Sequence, residues 1–247
     1  IVGADSLQLY RHLDIGTAKP SLADRARVRH HLVDVIEPSE AFNAAQYRKL
    51  AEQAIKEILS RGKNALIVGG TGLYIRILLN GIFQVPETDG CVRQSLQQEL
   101  ESRGVEFLYH RLHEVDPRLA ERVEKTDGVR ILRGLEVFEL TGVPLSVHQA
   151  EHAFSRRYYD SLMIGVMVER SVLHERILLR TKRMVAAGLL DEYNILINRG
   201  YSADLKPLRS IGYRQMADHL AGQTTLEDAI LEIARDTRRY AKRQMTW

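Results

Sequence analysis

A chain of 247 residues, 45% of them hydrophobic, has enough apolar mass for one large domain, or one domain with a sizeable insertion, without covalent staples. Its single cysteine, Cys91, excludes an intramolecular disulfide or a cysteine-rich zinc site and fits a reducing compartment, while the net charge of +3 is a mild sign of an anionic partner. No apolar stretch approaches the ~18 residues of a membrane span and no signal segment leads the chain, so the expected location is the cytoplasm.

In chain order, Ile1–Ala4 reads as the tail of a buried strand that delivers Asp5 and Ser6. His30–Pro38, "HHLVDVIEP", predicts a second short β-rich run stopped by proline. Asn43 is a fair N-cap for a helix in which Tyr47, Leu50, Ala51, Ala54, Ile55, Ile58 and Leu59 recur at helical spacing, and Gly62 ends it. "NALIVGGTG" then predicts a continuous apolar strand closing on glycines, with a short helix from Leu73 to Leu79. Strands apolar on both faces, alternating with helices, predict a parallel α/β sheet flanked by helices. From Pro86 to about Glu151 the pattern is helical throughout, which predicts an all-helical insertion over 86–151 between core segments 1–85 and 152–247. "DSLMIGVMVE", Asp160 to Glu169, predicts a return of the sheet. Ser171 is the expected cap of the next helix, and Thr224 with Glu227 has capping-box spacing before a last helix from Leu226 to Trp247.

Ligands of open parallel sheets bind at the carboxyl ends of the strands. Asp5 and Ser6 follow the first apolar run and Gly69-Gly70-Thr71-Gly72 follows "ALIV", so both face one crevice if their strands are neighbours. The glycines are expected to let a substrate approach the backbone, and an aspartate beside a threonine hydroxyl suits a positioned general base. Taken separately, an Asp-Ser after a strand is more often a plain helix cap, and GGTG more often a tight turn; together, at the ends of adjacent strands, they read equally as a site.

The phosphate loop G-x-x-x-x-G-K-[ST] is absent; Gly62-Lys63-Asn64 is the nearest string and fails it. Arg176, Arg180 and Arg183 share one helical face, which reads as a solvated surface or as a grip on an anionic ligand. Arg209, Arg214, Arg235, Arg238, Arg239, Lys242 and Arg243, interleaved with Tyr213, Tyr240 and Trp247, suit backbone tracking and base stacking on single-stranded nucleic acid. Arg130 and Arg133, on a helix opened by Asp127 and Gly128, offer another phosphate grip. The histidines fall in no ligand spacing, and no metal site is assigned from the residues.

"ADSLQLYRHLDIGTAKP", "HHLVDVIEP", "LIVGGTGLYIRILLNG", "VRILRGLEVFELTG", "RSIGYRQM" and "AKRQMTW" occur in an order and spacing that resembles the tRNA dimethylallyltransferase family over essentially the whole chain. The resemblance implies a P-loop-type α/β core with a helical insertion on the tRNA anticodon stem-loop, and transfer of a dimethylallyl group from dimethylallyl diphosphate to the adenosine 3′ of the anticodon. It implies Asp5 as general base, Thr71 beside it, and Arg180 on the diphosphate with Arg176 and Arg183 as further candidates. It also implies tRNA contacts by Asp5, Ser6, Leu7, Gln8, Thr71 and Arg93, by Val129, Arg130, Ile131, Leu132 and Arg133, and by Arg209, Ser210, Ile211, Gly212, Tyr213 and Arg214. Mg²⁺ is the implied cofactor and a monomer the expected state. The family's first strand, phosphate loop and following helix are expected before residue 1, and a further segment after "RQMTW", so the sequence reads as a truncated record of an active enzyme or as a natural fragment. An adenylate isopentenyltransferase acting on free nucleotide and an inactive tRNA-binding module are the alternatives.

Overall fold

The computed structural model describes residues 1–83, 90–152, 154 and 156–247. These fall into two compact units, Ile1–Leu79 with Tyr158–Trp247, and Asn80–Arg157. The expected boundary between 85 and 86 lies outside the described residues.

The first unit is organised around β1 (Val2–Gly3), in which Val2 is wholly buried, as is Ala4 just after it. One side faces residues 66–68: the Val2 N–H donates to the Leu66 carbonyl at 2.8 Å and the Ala4 N–H to Val68 at 2.7 Å. The other faces His31, whose carbonyl accepts from the Gly3 N–H at 2.9 Å. The run over 30–38 is not the continuous strand its composition predicts. It makes only isolated bridges at His31 and Ile36, because Leu32 and Asp34 take left-handed φ values of +61° and +58° that turn the chain between them. A short helix that the sequence pattern did not suggest, α1 (Leu22–Arg27), is nucleated by a Ser21–Asp24 capping box. Next, α2 (Ala44–Ser60) starts at Asn43 as expected, with Gln46 returning the hydrogen bond, and buries Tyr47, Ala51, Ala54, Ile55 and Ile58 along one face. β2 (Ile67–Val68) pairs parallel with β1 in the register Val2–Ile67 and Gly3–Val68, and α3 (Gly72–Asn80) follows directly.

The second unit is helical among the described residues. α4 (Cys91–Val115) is broken at Gly104, where φ of 82° and ψ of 168° leave the helical region, so it consists of two helical halves that meet at that residue. α5 (Pro117–Ala120), α6 (Gly128–Thr141) and α7 (Leu145–His152) complete it, with Asp127 capping the start of α6 and Gly142 its end at φ +69°. Leu96, Leu108, Leu112, Ile131 and Leu135 form its core. The buried Asp116 ties α5 to α7 by accepting from the N–H groups of Leu119 at 3.1 Å and Ser146 at 2.8 Å.

Returning to the first unit, residues 160–169 form no strand. Leu162, Met163, Ile164, Val166 and Met167 are 71–87% exposed, because no other described segment lies alongside to exchange backbone hydrogen bonds with them. α8 (Arg170–Ala186) is capped by Glu169, whose carboxylate accepts from the N–H groups of Ser171 and Val172; Ser171 itself is not the cap. α9 (Leu189–Asn198), α10 (Tyr213–Leu220) and α11 (Leu226–Gln244) follow. The cap of α11 is Thr225, accepting from the Asp228 N–H, one residue after the expected pair; its backbone is extended, as a cap requires. Among the described residues no helix is long and apolar enough to cross a membrane.

Candidate active site

The parallel pairing of β1 with β2 brings Asp5 and Thr71 to the same end of the sheet. The Thr71 N–H donates to the Ala4 carbonyl at 3.0 Å, and its hydroxyl accepts from the Ser6 N–H, also at 3.0 Å. Asp5 is half-buried, and its Oδ1 accepts from the N–H groups of Leu7 at 2.8 Å and Gln8 at 3.3 Å. Its Oδ2 takes no hydrogen bond among the described residues. One oxygen is therefore anchored by the backbone while the other can take up a proton, which is the arrangement a general base requires.

The glycines that follow β2 are closely approached by other parts of the chain. A side chain at Gly69 would enter the backbone of Ala4, one at Gly70 would meet Gln244, and one at Gly72 would meet the Trp247 ring. The room beside Gly69 is taken by backbone, and that beside Gly70 and Gly72 by the Gln244 and Trp247 side chains. Gln244, at the end of α11, donates to the Gly70 carbonyl at 3.0 Å and thereby pins the Thr71 turn. Two phenols lie within electrostatic reach of the carboxylate. Burial first, then the nearby Tyr10 and Asp5, push the Tyr74 hydroxyl up to about 12, and burial followed by the Asp5 charge raises Tyr240. Both remain neutral at neutral pH and able to donate hydrogen bonds. Tyr47 stacks on Tyr74 at 4.0 Å, so the wall behind the site is aromatic and rigid.

Two residues outside the expected set shape the 5–19 segment. Lys19, with 1% of its side chain exposed, donates from Nζ to the Tyr10 carbonyl at 2.8 Å, to Asp14 at 2.6 Å and to Asp34 at 2.5 Å. Glu192 on α9 accepts from the N–H groups of Asp14, Ile15 and Gly16. Nothing in the spacing of the sequence marks either residue, since each finds its partners only through the fold.

The expected anion and RNA contacts divide by exposure. Arg176, Arg180, Arg183 and Arg209 are exposed and make no ion pair among the described residues, so their charges are open to a ligand. Arg214 is exposed but pairs with Asp236 at 2.7 Å. In the helical unit, Arg93 and Arg133 both reach the buried Glu136, at 3.2 and 2.7 Å, which orients two cations from different helices. Val129 is 72% exposed and Arg130 lies on the same exposed turn. Ile131, Leu132 and Tyr213 are 0–4% exposed and pack inward. The apolar periodicity that forms their helices also buries them, so these three side chains are not presented on the surface. Ser210, half-buried, bonds to the Pro207 carbonyl at 2.6 Å, the half-buried Ile211 and the buried Gly212 follow it, and the Gly212 N–H is taken by Gln215 at 2.9 Å.

A family model described as IPP transferase matches residues 8–247. A tRNA dimethylallyltransferase of Pelobacter propionicus is 50% identical over all 247 residues, which span 80% of its length, and the same figures hold for one of Geobacter metallireducens. Among solved structures, the tRNA isopentenylpyrophosphate transferase of Bacillus halodurans is 39% identical with a TM-score of 0.69, covering 100% of this chain and 77% of that one. A eukaryotic dimethylallyltransferase described as acting on tRNA reaches a TM-score of 0.82 at 27% identity, covering 100% of this chain and 62% of that one. Similarity of this extent, on a mixed fold with a small parallel sheet, defines the class: the chain is an enzyme, a prenyltransferase. It belongs to the IPP transferase family.

Proposed function

We propose that this protein transfers a dimethylallyl group from dimethylallyl diphosphate to the exocyclic amine of the adenosine 3′ of the tRNA anticodon, on a P-loop-type α/β core. The observation that carries the reading is the Asp5 carboxylate, held through one oxygen at the end of β1 with the other open. The amine nitrogen attacks the allylic carbon as the carbon–oxygen bond to the diphosphate breaks, and the proton from the amine passes to Asp5 Oδ2. A neutral aromatic amine is a poor nucleophile, so removing this proton as the bond forms is the step that most needs a base. Negative charge accumulates on the departing diphosphate, which Arg180, Arg176 and Arg183 on α8 suit as unpaired cations. The acceptor base must leave its stack to reach Asp5, at a cost of a few kcal/mol.

Arg93, Arg130 and Arg133 in the helical unit, with the exposed Val129 beside Arg130, and Arg209 and Arg214 in the other unit suit an anticodon stem-loop, the arginines through its phosphates and sugars. For the Mg²⁺ of the reading, no group of three or more His, Cys, Asp or Glu side chains is placed to hold an ion among the described residues. Such an ion would neutralise charge on the diphosphate, and the steps above rest on the chain's own residues.

Substitution Asp5→Ala tests the assignment. Prenyl transfer to an anticodon stem-loop is expected to fall roughly 10²–10⁴-fold while affinity for the RNA stays within about twofold. Retained turnover, or a loss confined to RNA binding, would overturn it. Faster transfer to free adenylate than to the stem-loop would instead assign a free nucleotide as acceptor.

A further inference from the structure

We propose that Glu192 is a positioning residue for the general base, acting across the fold from α9 through the 5–19 segment. The proposal rests on Asp5 being the base. Both oxygens of the Glu192 carboxylate are fully used. Oε2 accepts from the N–H groups of Asp14 at 2.9 Å and Ile15 at 2.7 Å, and Oε1 from the N–H of Gly16 at 3.0 Å and the hydroxyl of Tyr213 at 2.6 Å. Three successive backbone donors converging on one carboxylate form an anion-binding concavity that this side chain fills. Such charge-assisted bonds are stronger than neutral ones and fix the turn in one shape.

The remainder of the path is continuous. The turn held by Glu192 runs into Thr17 and Ala18, whose carbonyls accept from the Gln8 side-chain amide at 3.1 and 3.3 Å. The Gln8 backbone N–H in turn donates to Asp5 Oδ1. Gln8 thus joins the braced turn to the carboxylate, and no link in the chain of bonds depends on substrate. Tyr213 supports Glu192 from behind. It is wholly buried, and its ring lies so close to Gly16 that a side chain there would enter the ring. Burial, then the Glu192 charge, raise the Tyr213 hydroxyl, so it remains a donor to that carboxylate across the working pH range.

If this path sets the orientation of Asp5, loosening it displaces the base from the amine without touching the RNA grip. Misplacement of a reacting group by about 1 Å is enough to cost roughly 10²-fold in rate. The test is Glu192→Gln in the intact protein, which keeps the size of the side chain but can no longer accept from all four donors. Prenyl transfer is expected to show kcat lowered roughly 10- to 100-fold with KM for the stem-loop within about twofold. Tyr213→Phe, which removes a single bond, should show a smaller loss in kcat alone. Hydrogen exchange, read without substrate, should quicken at the amides of Asp14–Gly16 and also at those of Leu7 and Gln8, which bond Asp5. Quickening confined to Asp14–Gly16 would break the proposed path. In an Asp5→Asn background with residual turnover, Glu192→Gln should cost nothing further; an equal loss in both backgrounds would assign Glu192 a role independent of Asp5 and overturn the proposal. Failure of Asp5→Ala to lower turnover is a separate result that removes the base assignment and leaves the exchange test of the bonded path standing.

Discussion

Lys19 shows at the level of one residue how far a side chain's role can lie from its appearance. In "DIGTAKP" it sits like a solvent-facing cation, yet in the fold its ammonium is enclosed by Asp14, Asp34 and the Tyr10 carbonyl. Removing one partner of a buried pair leaves the other charge uncompensated. Lys19→Met is expected to cost about 2–3 kcal/mol by chemical denaturation, less than the ~5 of a fully buried pair because Asp14 is 60% exposed and solvent-screened. The pH dependence has a definite sign. Burial pushes Asp34 upward, but hydrogen bonds from Lys19 and Arg25 win and hold it below its ordinary 3.8. A carboxyl lowered in the folded state stabilises above that value, and the contribution is lost as pH falls through the folded one. The acid limb of the stability curve should therefore be shallower in Lys19→Met than in the parent, as read by denaturation at a series of acidic pH values. Tyr213 makes the complementary point: an aromatic residue among arginines suggested RNA stacking, and its burial instead made it a support for Glu192.

Between elements, the β1–β2 pair determines whether there is a site at all. Asp5 and Thr71 lie far apart in the chain and meet only because the two strands run parallel in the register Val2–Ile67. Gly69 maintains that spacing, since any side chain would push into the backbone of Ala4. Gly69→Ala should destabilise by roughly 1–3 kcal/mol in thermal unfolding and lower turnover as well, because the same shift displaces Asp5 from Thr71. Gly165→Ala, where an added methyl meets nothing within 4 Å, is the control and should change stability by no more than about 0.5 kcal/mol. Helix boundaries were legible where a local cap decided them, as at Asn43. They slipped by one or two residues where two neighbours compete for the cap, as at Glu169 over Ser171 and Thr225 over Thr224.

Over the whole molecule the excess of cations is modest, but it is unevenly spent. Lys19, Arg25 and Arg214 have carboxylate partners, whereas Arg176, Arg180, Arg183 and Arg209 have none among the described residues, so part of the unneutralised charge lies along α8 and just before α10. Binding that rests on phosphate contacts releases counterions. Affinity for the anticodon stem-loop should fall steeply with salt, and Arg130→Ala should reduce the log–log slope by about one while leaving turnover at saturating RNA unchanged. A salt-insensitive affinity would separate RNA binding from these arginines. The same scale explains the failed strand at 160–169. Composition alone marks Leu162–Met167 as sheet, but a strand exists only where a neighbour completes its hydrogen bonds, and none of the described segments does so.

By itself the sequence determined what depends on near neighbours. It contained the helices with their apolar faces, the strand end that delivers Asp5, the helical character of the segment after residue 90, and an ordered set of motifs resembling one family. Tertiary structure alone decided which long-range partners meet. It bonded Ser6, next to Asp5, to Thr71, enclosed Lys19, carried Glu192 to the 14–16 turn, filled the space beside the glycines with Gln244 and Trp247, and buried Tyr213. The division has a physical origin. Caps and periodicity act over three or four residues and leave a mark in local spacing. A hydrogen bond or ion pair between residues more than a hundred positions apart has no local mark, because only the folded chain supplies its geometry.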